Sequence, residues 1–141
     1  MSKRMRSARG ASAFVRPDSM CHSTTDARIG STGAVSAEAS CWNELIDKLF
    51  HMESFEDDWD AEGTVAPPLP LVHGAIRLAQ ILRWENQPPA ERVIASVNGT
   101  IYFEWHTSLG YEEIEVISPR DAEQRKVKVD SDVLEVLRFT F

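Results

Sequence analysis

The residues best suited to chemistry lie in one short acidic run, Glu56, Asp57, Asp58, Asp60 and Glu62, which closes on Gly63. Hard divalent cations take several oxygen ligands from one loop, so Asp57, Asp58 and Asp60 are the residues a metal-dependent hydrolase would use. The spacing does not follow the calcium-loop template. Counted from Asp58, Gly63 falls sixth, but the twelfth position is Leu69 where a bidentate Glu is needed. The alternative is a surface loop whose carboxylates bond their own backbone, as Asp does readily in turns. His51, His73 and His106 share no short spacing with Cys or with another His. His106, beside Trp105 and Glu104, has the chemistry of a general base, but nothing in the sequence supplies its nucleophile. A Gly-x-Ser-x-Gly elbow and a glycine-rich phosphate loop are both absent. No motif requires a catalytic residue, a metal or a cofactor.

The remaining chemistry is that of recognition. Tyr102, Glu104, His106, Glu113 and Glu115 fall at alternate positions of two extended runs, where they would share one exposed face. Acidic and aromatic residues mixed in this way suit another protein with a basic surface. With Trp59 and Asp60 they are the expected partner-binding residues. Trp59 itself, flanked by Asp58 and Asp60, is expected to turn its indole into the core against Trp42 or Leu82, with the N–H on a backbone acceptor. Left in water, it would instead be a binding anchor.

The elements that position these residues follow from periodicity. Ser36 can cap a helix from about Ala37 to Met52, with Trp42, Leu45, Ile46, Leu49 and Phe50 on its buried face. Gly63, Pro67, Pro68 and Pro70 make the acidic run a loop. A second helix is predicted from Pro70 to about Glu85, with Val72, Ala75, Ile76, Ala79 and Leu82 inward and Arg77, Gln80 and Arg83 outward. From Arg92 the period becomes two. Runs at 92–97 and 100–107 flank Asn98-Gly99, the signature of a type I′ hairpin, and a third strand covers 111–118. Residues 119–124 read as a connection, 126–129 as a further strand, and 134–141 as a strand or short helix. The fold class is α+β: two helices packed on a three- to five-stranded antiparallel sheet, in one domain over 36–141.

Composition bounds the rest. Hydrophobic residues make up 43% and charged residues 26% of 141, so a packed core is expected. Residues 1–35 hold six Lys or Arg against two Asp, a net of +4, so the other residues carry −11 of the chain's −7. An acidic body repels a phosphate backbone, and nucleic-acid binding by the folded part is not expected; only the basic arm could serve as such a tether. The arm reads as disordered. Its first sixteen residues resemble a presequence in composition, and Met20 is an alternative start. No apolar stretch reaches the roughly 20 residues that span a bilayer. Cys21 and Cys41, without CxxC spacing, read as free thiols of a soluble, cytoplasmic protein.

Taken in order, Asp58-Trp59-Asp60-Ala61-Glu62-Gly63, the Pro-introduced helix, Asn98-Gly99-Thr100-Ile101-Tyr102-Phe103-Glu104-Trp105 and Glu113-Ile114-Glu115-Val116 resemble a family of short bacterial proteins. Their pattern is a Trp-Asp-Gly-x-Gly loop, a Leu-Glu-Trp β-hairpin and a strand alternating Glu with Ile or Val. The likeness covers about 42–118. It departs at Leu69, where a Ser or Thr cap is usual, and at Ala61, where Gly is commoner; Ala at that position argues against a positive φ there. The family has no established activity. The resemblance implies an accessory or interaction role in a mobile or defence-related gene pair.

Overall fold

The computed structural model describes the backbone of residues 31–141 and side chains from Ala37. The chain divides into Met1–Cys41 and Trp42–Phe141, and the fold below is that of the second unit. Two helices, α1 (Ser31–His51) and α2 (Leu69–Trp84), precede five strands, β1 (Arg92–Ala95), β2 (Ile101–Thr107), β3 (Gly110–Val116), β4 (Asp121–Lys128) and β5 (Leu134–Thr140). All neighbours are antiparallel and the order is β1-β2-β3-β4-β5. The chain is therefore α+β. Helix α1 begins five residues ahead of Ser36, and a 3-10 turn, Met52–Ser54, extends it. The arm expected over 1–35 lies, as far as residue 30, outside the described residues.

Apolar residues of both helices and of one sheet face share a single core, and α2 lies against β2 and β3. Trp42, Leu45, Leu49 and Met52 join Leu71, Val72, Ala75, Ile76, Leu78 and Ala79, and the sheet contributes Val93, Ile101, Phe103, Trp105, Ile114, Val116 and Ala122. Helix α2 approaches the β3–β4 turn so closely that a Cβ on Gly74 would stand 2.5 Å from the Pro119 carbonyl oxygen. Arg77 then donates to that oxygen at 2.7 Å. Leu82 packs only at the margin of the core. Phe50, expected inside, is half exposed, because its neighbours on α1 already fill the side that faces the sheet.

Two departures lie in the strands. The first hairpin does not carry a type I′ turn. Gly99 alone takes positive φ, +83°, while Asn98 does not. Gly99 N–H donates to Ser96 O (3.2 Å) and Ser96 N–H to Thr100 O (2.8 Å), the pattern of a type I turn closed by a left-handed glycine. The second departure is β4. It covers residues read as a connection, Asp121 to Gln124, and pairs with β3 over 122–128 and with β5 over 121–127.

Cys41 is disulfide-bonded, not a free thiol; the expectation for Cys21 lies outside the described residues. A disulfide is a bond that oxidising compartments favour. Cys41 therefore lends the cytoplasmic expectation no support. Among the described residues no helix is long and apolar enough to cross a membrane.

Candidate functional site

The acidic loop folds on its own carboxylates. Asp58 Oδ1 accepts from Gly63 N–H at 2.6 Å, and Asp58 N–H donates to Thr64 O at 2.8 Å. Asp60 accepts from Glu62 N–H at 3.1 Å through Oδ1 and from the Thr64 hydroxyl through Oδ2. Asp57 Oδ1 accepts from Ala66 N–H at 3.0 Å. Partial burial works to raise the Asp60 pKa, but the Thr64 hydroxyl and the backbone N–H groups together hold it below its ordinary value. Each of the three aspartates thus serves the loop's own backbone. Among the described residues no group of three or more His, Cys, Asp or Glu is placed to hold a metal ion.

The loop is also strained and docked. Asp58 and Ala61 both sit at positive φ, +67° and +63°. The Ala at 61 therefore adopts the conformation that Gly would hold without strain, contrary to the expectation from its side chain. Val65 N–H donates to Val97 O at 3.2 Å, and Val65 and Ala66 lie where a Cβ on Gly99 would touch them. The absence of a side chain at Gly99 lets the loop lie against the β1–β2 turn.

Trp59 does not enter the core. It is 40% exposed, with its ring stacked on Phe55 at 4.5 Å between centroids and 22° between planes. Phe55 in turn meets His51 edge-on at 5.6 Å. The ladder His51–Phe55–Trp59 runs from the end of α1 into the loop, beside exposed Glu56, Asp57, Asp58 and Glu62. The expected contact with Trp42 or Leu82 is not made, because the loop closes on Asp58, Asp60 and Thr64 and leaves the indole outside. Trp42 and Trp105 perform the clamping expected of Trp59: their indoles donate to Gln87 O (3.2 Å) and Pro88 O (3.0 Å), holding the α2–β1 connection.

The structure does bring Tyr102, Glu104, His106, Glu113 and Glu115 onto one face of β2 and β3, with Tyr102 opposite Glu115, Glu104 opposite Glu113 and His106 opposite Tyr111. That face is not a bare acidic surface. Arg125 of β4 reaches across to Glu113 (2.8 Å) and Glu115 (2.9 Å) on β3 and also holds Glu123 of its own strand (2.5 Å). Arg92 forks onto Glu104, which is 5% exposed, and Arg138 reaches Glu123. Tyr111 donates to Glu113 at 2.7 Å; burial, then that bond and the charges of Glu104 and Glu113, push its pKa up. Burial and Glu115 do the same to Tyr102, while Glu113 and Glu115 raise that of Arg125. His106 Nδ1 lies 2.5 Å from Glu91 and its ring 4.8 Å from Tyr111, so its partners orient it and none is placed as a nucleophile. Arg125, Arg92 and Glu123 were the residues a reading of alternation alone passes over; opposite charges at facing strand positions were their only signal.

A surface depression of about 360 Å³ is lined by Gln80, Arg83, Trp84 and Asn86, none of them among the expected site residues. Comparison with protein families, curated proteins and solved structures finds no match.

Proposed function

We propose that this chain is a small protein-interaction or accessory protein, whose contact surface is the Trp59 ladder with its acidic rim and whose partner presents basic groups. One observation carries the reading: an indole stacked on Phe55 stays 40% exposed on a loop that is closed by its own aspartates. Such a ring is ordered before any partner arrives, and ordered aromatic residues dominate the energetics of interfaces. The neighbouring carboxylates favour a cationic side chain over the indole face, where a cation is attracted by the ring quadrupole. Among the sheet residues, Glu104, Glu113 and Glu115 are neutralised internally, which leaves the loop as the stronger half of the expected surface. The rival metal-dependent hydrolase gains no support from Asp57, Asp58 and Asp60, whose oxygens serve the loop.

A role in a mobile or defence-related gene pair rests on the resemblance alone, and makes the product of an adjacent gene the first partner to test. Immobilised full chain should retain that protein in a salt-sensitive manner. Trp59→Ala should lose it while staying folded, with a melting temperature lowered by only a few degrees. Retention by the variant equal to that of the native chain would overturn the reading.

A further inference from the structure

Among the described residues β5 is an edge strand, and it carries apolar side chains on both faces, beside Glu135 on the inner face and Arg138 and Thr140 on the outer. Leu134 and Val136 share the outer face with Arg125, while Leu137 and Phe139 share the inner face with Ile114 and Gln124. A strand with one solvated face alternates apolar with polar, and apolar residues on both faces of β5 break that alternation. Yet Leu134, Val136 and Leu137 are all more than half exposed, Leu137 by 60%, and Val127, Val129 and Val133 add to the same apolar margin. Glu135 and Arg138 put two charges on this edge, but its seven residues include no proline and its pairing with β4 shows no bulge, two other devices by which exposed edges avoid pairing.

We infer that β5 pairs antiparallel with β5 of a second copy, joining two five-stranded sheets into one continuous sheet. Charge favours this occupant. Residues 121–140 hold four basic against five acidic residues, a net of −1, whereas residues 36–120 hold five against fifteen, a net of −10. Two copies of an acidic chain repel least where they are nearly neutral, and a basic partner would be drawn to the rest of the body instead. Symmetry then sets the register. A two-fold axis that exchanges antiparallel neighbours stands normal to the sheet, so residues of one face meet those of the same face. With the axis beside Leu137, the central residue of the seven in β5, all seven residues find partners. Leu137 meets its counterpart, Val136 faces Arg138, Glu135 faces Phe139 and Leu134 faces Thr140. No like charges are opposed, whereas centring on Glu135 or Arg138 would set like charges against each other.

The test uses the full chain in light scattering after gel filtration, together with two variants on the proposed axis, Leu137→Lys and Leu137→Glu. The native chain should have the mass of a dimer and a melting temperature that rises with concentration. Each variant alone should be a folded monomer, because it opposes two like charges at the axis, and an equimolar mixture of the two should regain the dimer mass. Leu137 is exposed, so its replacement leaves the core intact, and circular dichroism checks this for each variant. A native chain that stays monomeric up to millimolar concentration overturns the inference. So does a dimer that survives both variants, or a mixture that fails to reassociate.

Discussion

Two tryptophan-bearing connections hold this molecule together in opposite ways. The α2–β1 connection is gripped from outside: Trp42 and Trp105, both buried, donate their indole N–H groups to the carbonyls of Gln87 and Pro88. The α1–α2 loop grips itself from inside, through Asp57, Asp58, Asp60 and Thr64, and leaves its own Trp59 in solvent. In the first case the tryptophan is what shapes the loop. In the second the carboxylates shape it and the tryptophan is displayed. A polar loop closed by its own carboxylates does not need an aromatic anchor, so the ring is available for something else.

Trp105→Ala is the most damaging test of that contrast. It removes a buried ring and a clamp together, and should cost about 3–5 kcal/mol in denaturant unfolding, enough to unfold a domain of marginal stability. Trp59→Ala should cost only about 0.5–1.5 kcal/mol, the worth of its aromatic pair with Phe55. Equal losses from the two would erase the distinction and make Trp59 structural. Ala61→Gly should raise stability by about 0.5 kcal/mol, since relief of the left-handed alanine exceeds the added chain entropy by little; a loss on thermal melting would show the loop to be relaxed with alanine in place.

The smallest effect is that of acid. The folded pKa of Asp60 lies below its ordinary value of 3.8, so the contribution of its bonds is complete above that value and disappears as pH falls through it toward the lower, folded pKa. Trp59 fluorescence should therefore change in that acid window while far-ultraviolet circular dichroism does not, and Asp60→Asn should remove the change.

Periodicity showed both helices to within a few residues of their ends in the second unit, and alternation showed β1, β2 and β3. Strand β4 stayed hidden because Asp121-Ala-Glu-Gln-Arg-Lys-Val-Lys128 has one fully buried apolar side chain, Ala122. Its place in the sheet is secured by backbone pairing on both sides and by charges matched across strands, and neither leaves a hydrophobic period. The same blindness made the face bearing Glu104, Glu113 and Glu115 look acidic, since the neutralising Arg92, Arg125 and Arg138 come from other strands. Of the expected site, the loop and the facing residues were legible. The orientation of Trp59 was not, because it depends on which hydrogen bonds close the loop, and spacing along a chain does not encode that.

The strand order has a consequence for how the chain acquires its shape. Each strand lies beside its sequence neighbour, and the connections within the sheet span two to five residues. Every step of sheet growth therefore closes a short loop, on the microsecond scale of an isolated hairpin, and carries little of the entropic delay that slows sheets assembled from distant segments. The slow event is the arrival of the helices, since the contacts of α2 with β2 and β3 bridge longer stretches of chain than the strand pairings do. Until they dock, Ile101, Phe103, Trp105, Ile114 and Val116 form an apolar face open to water, and that interval is when the chain is most prone to stick to its neighbours.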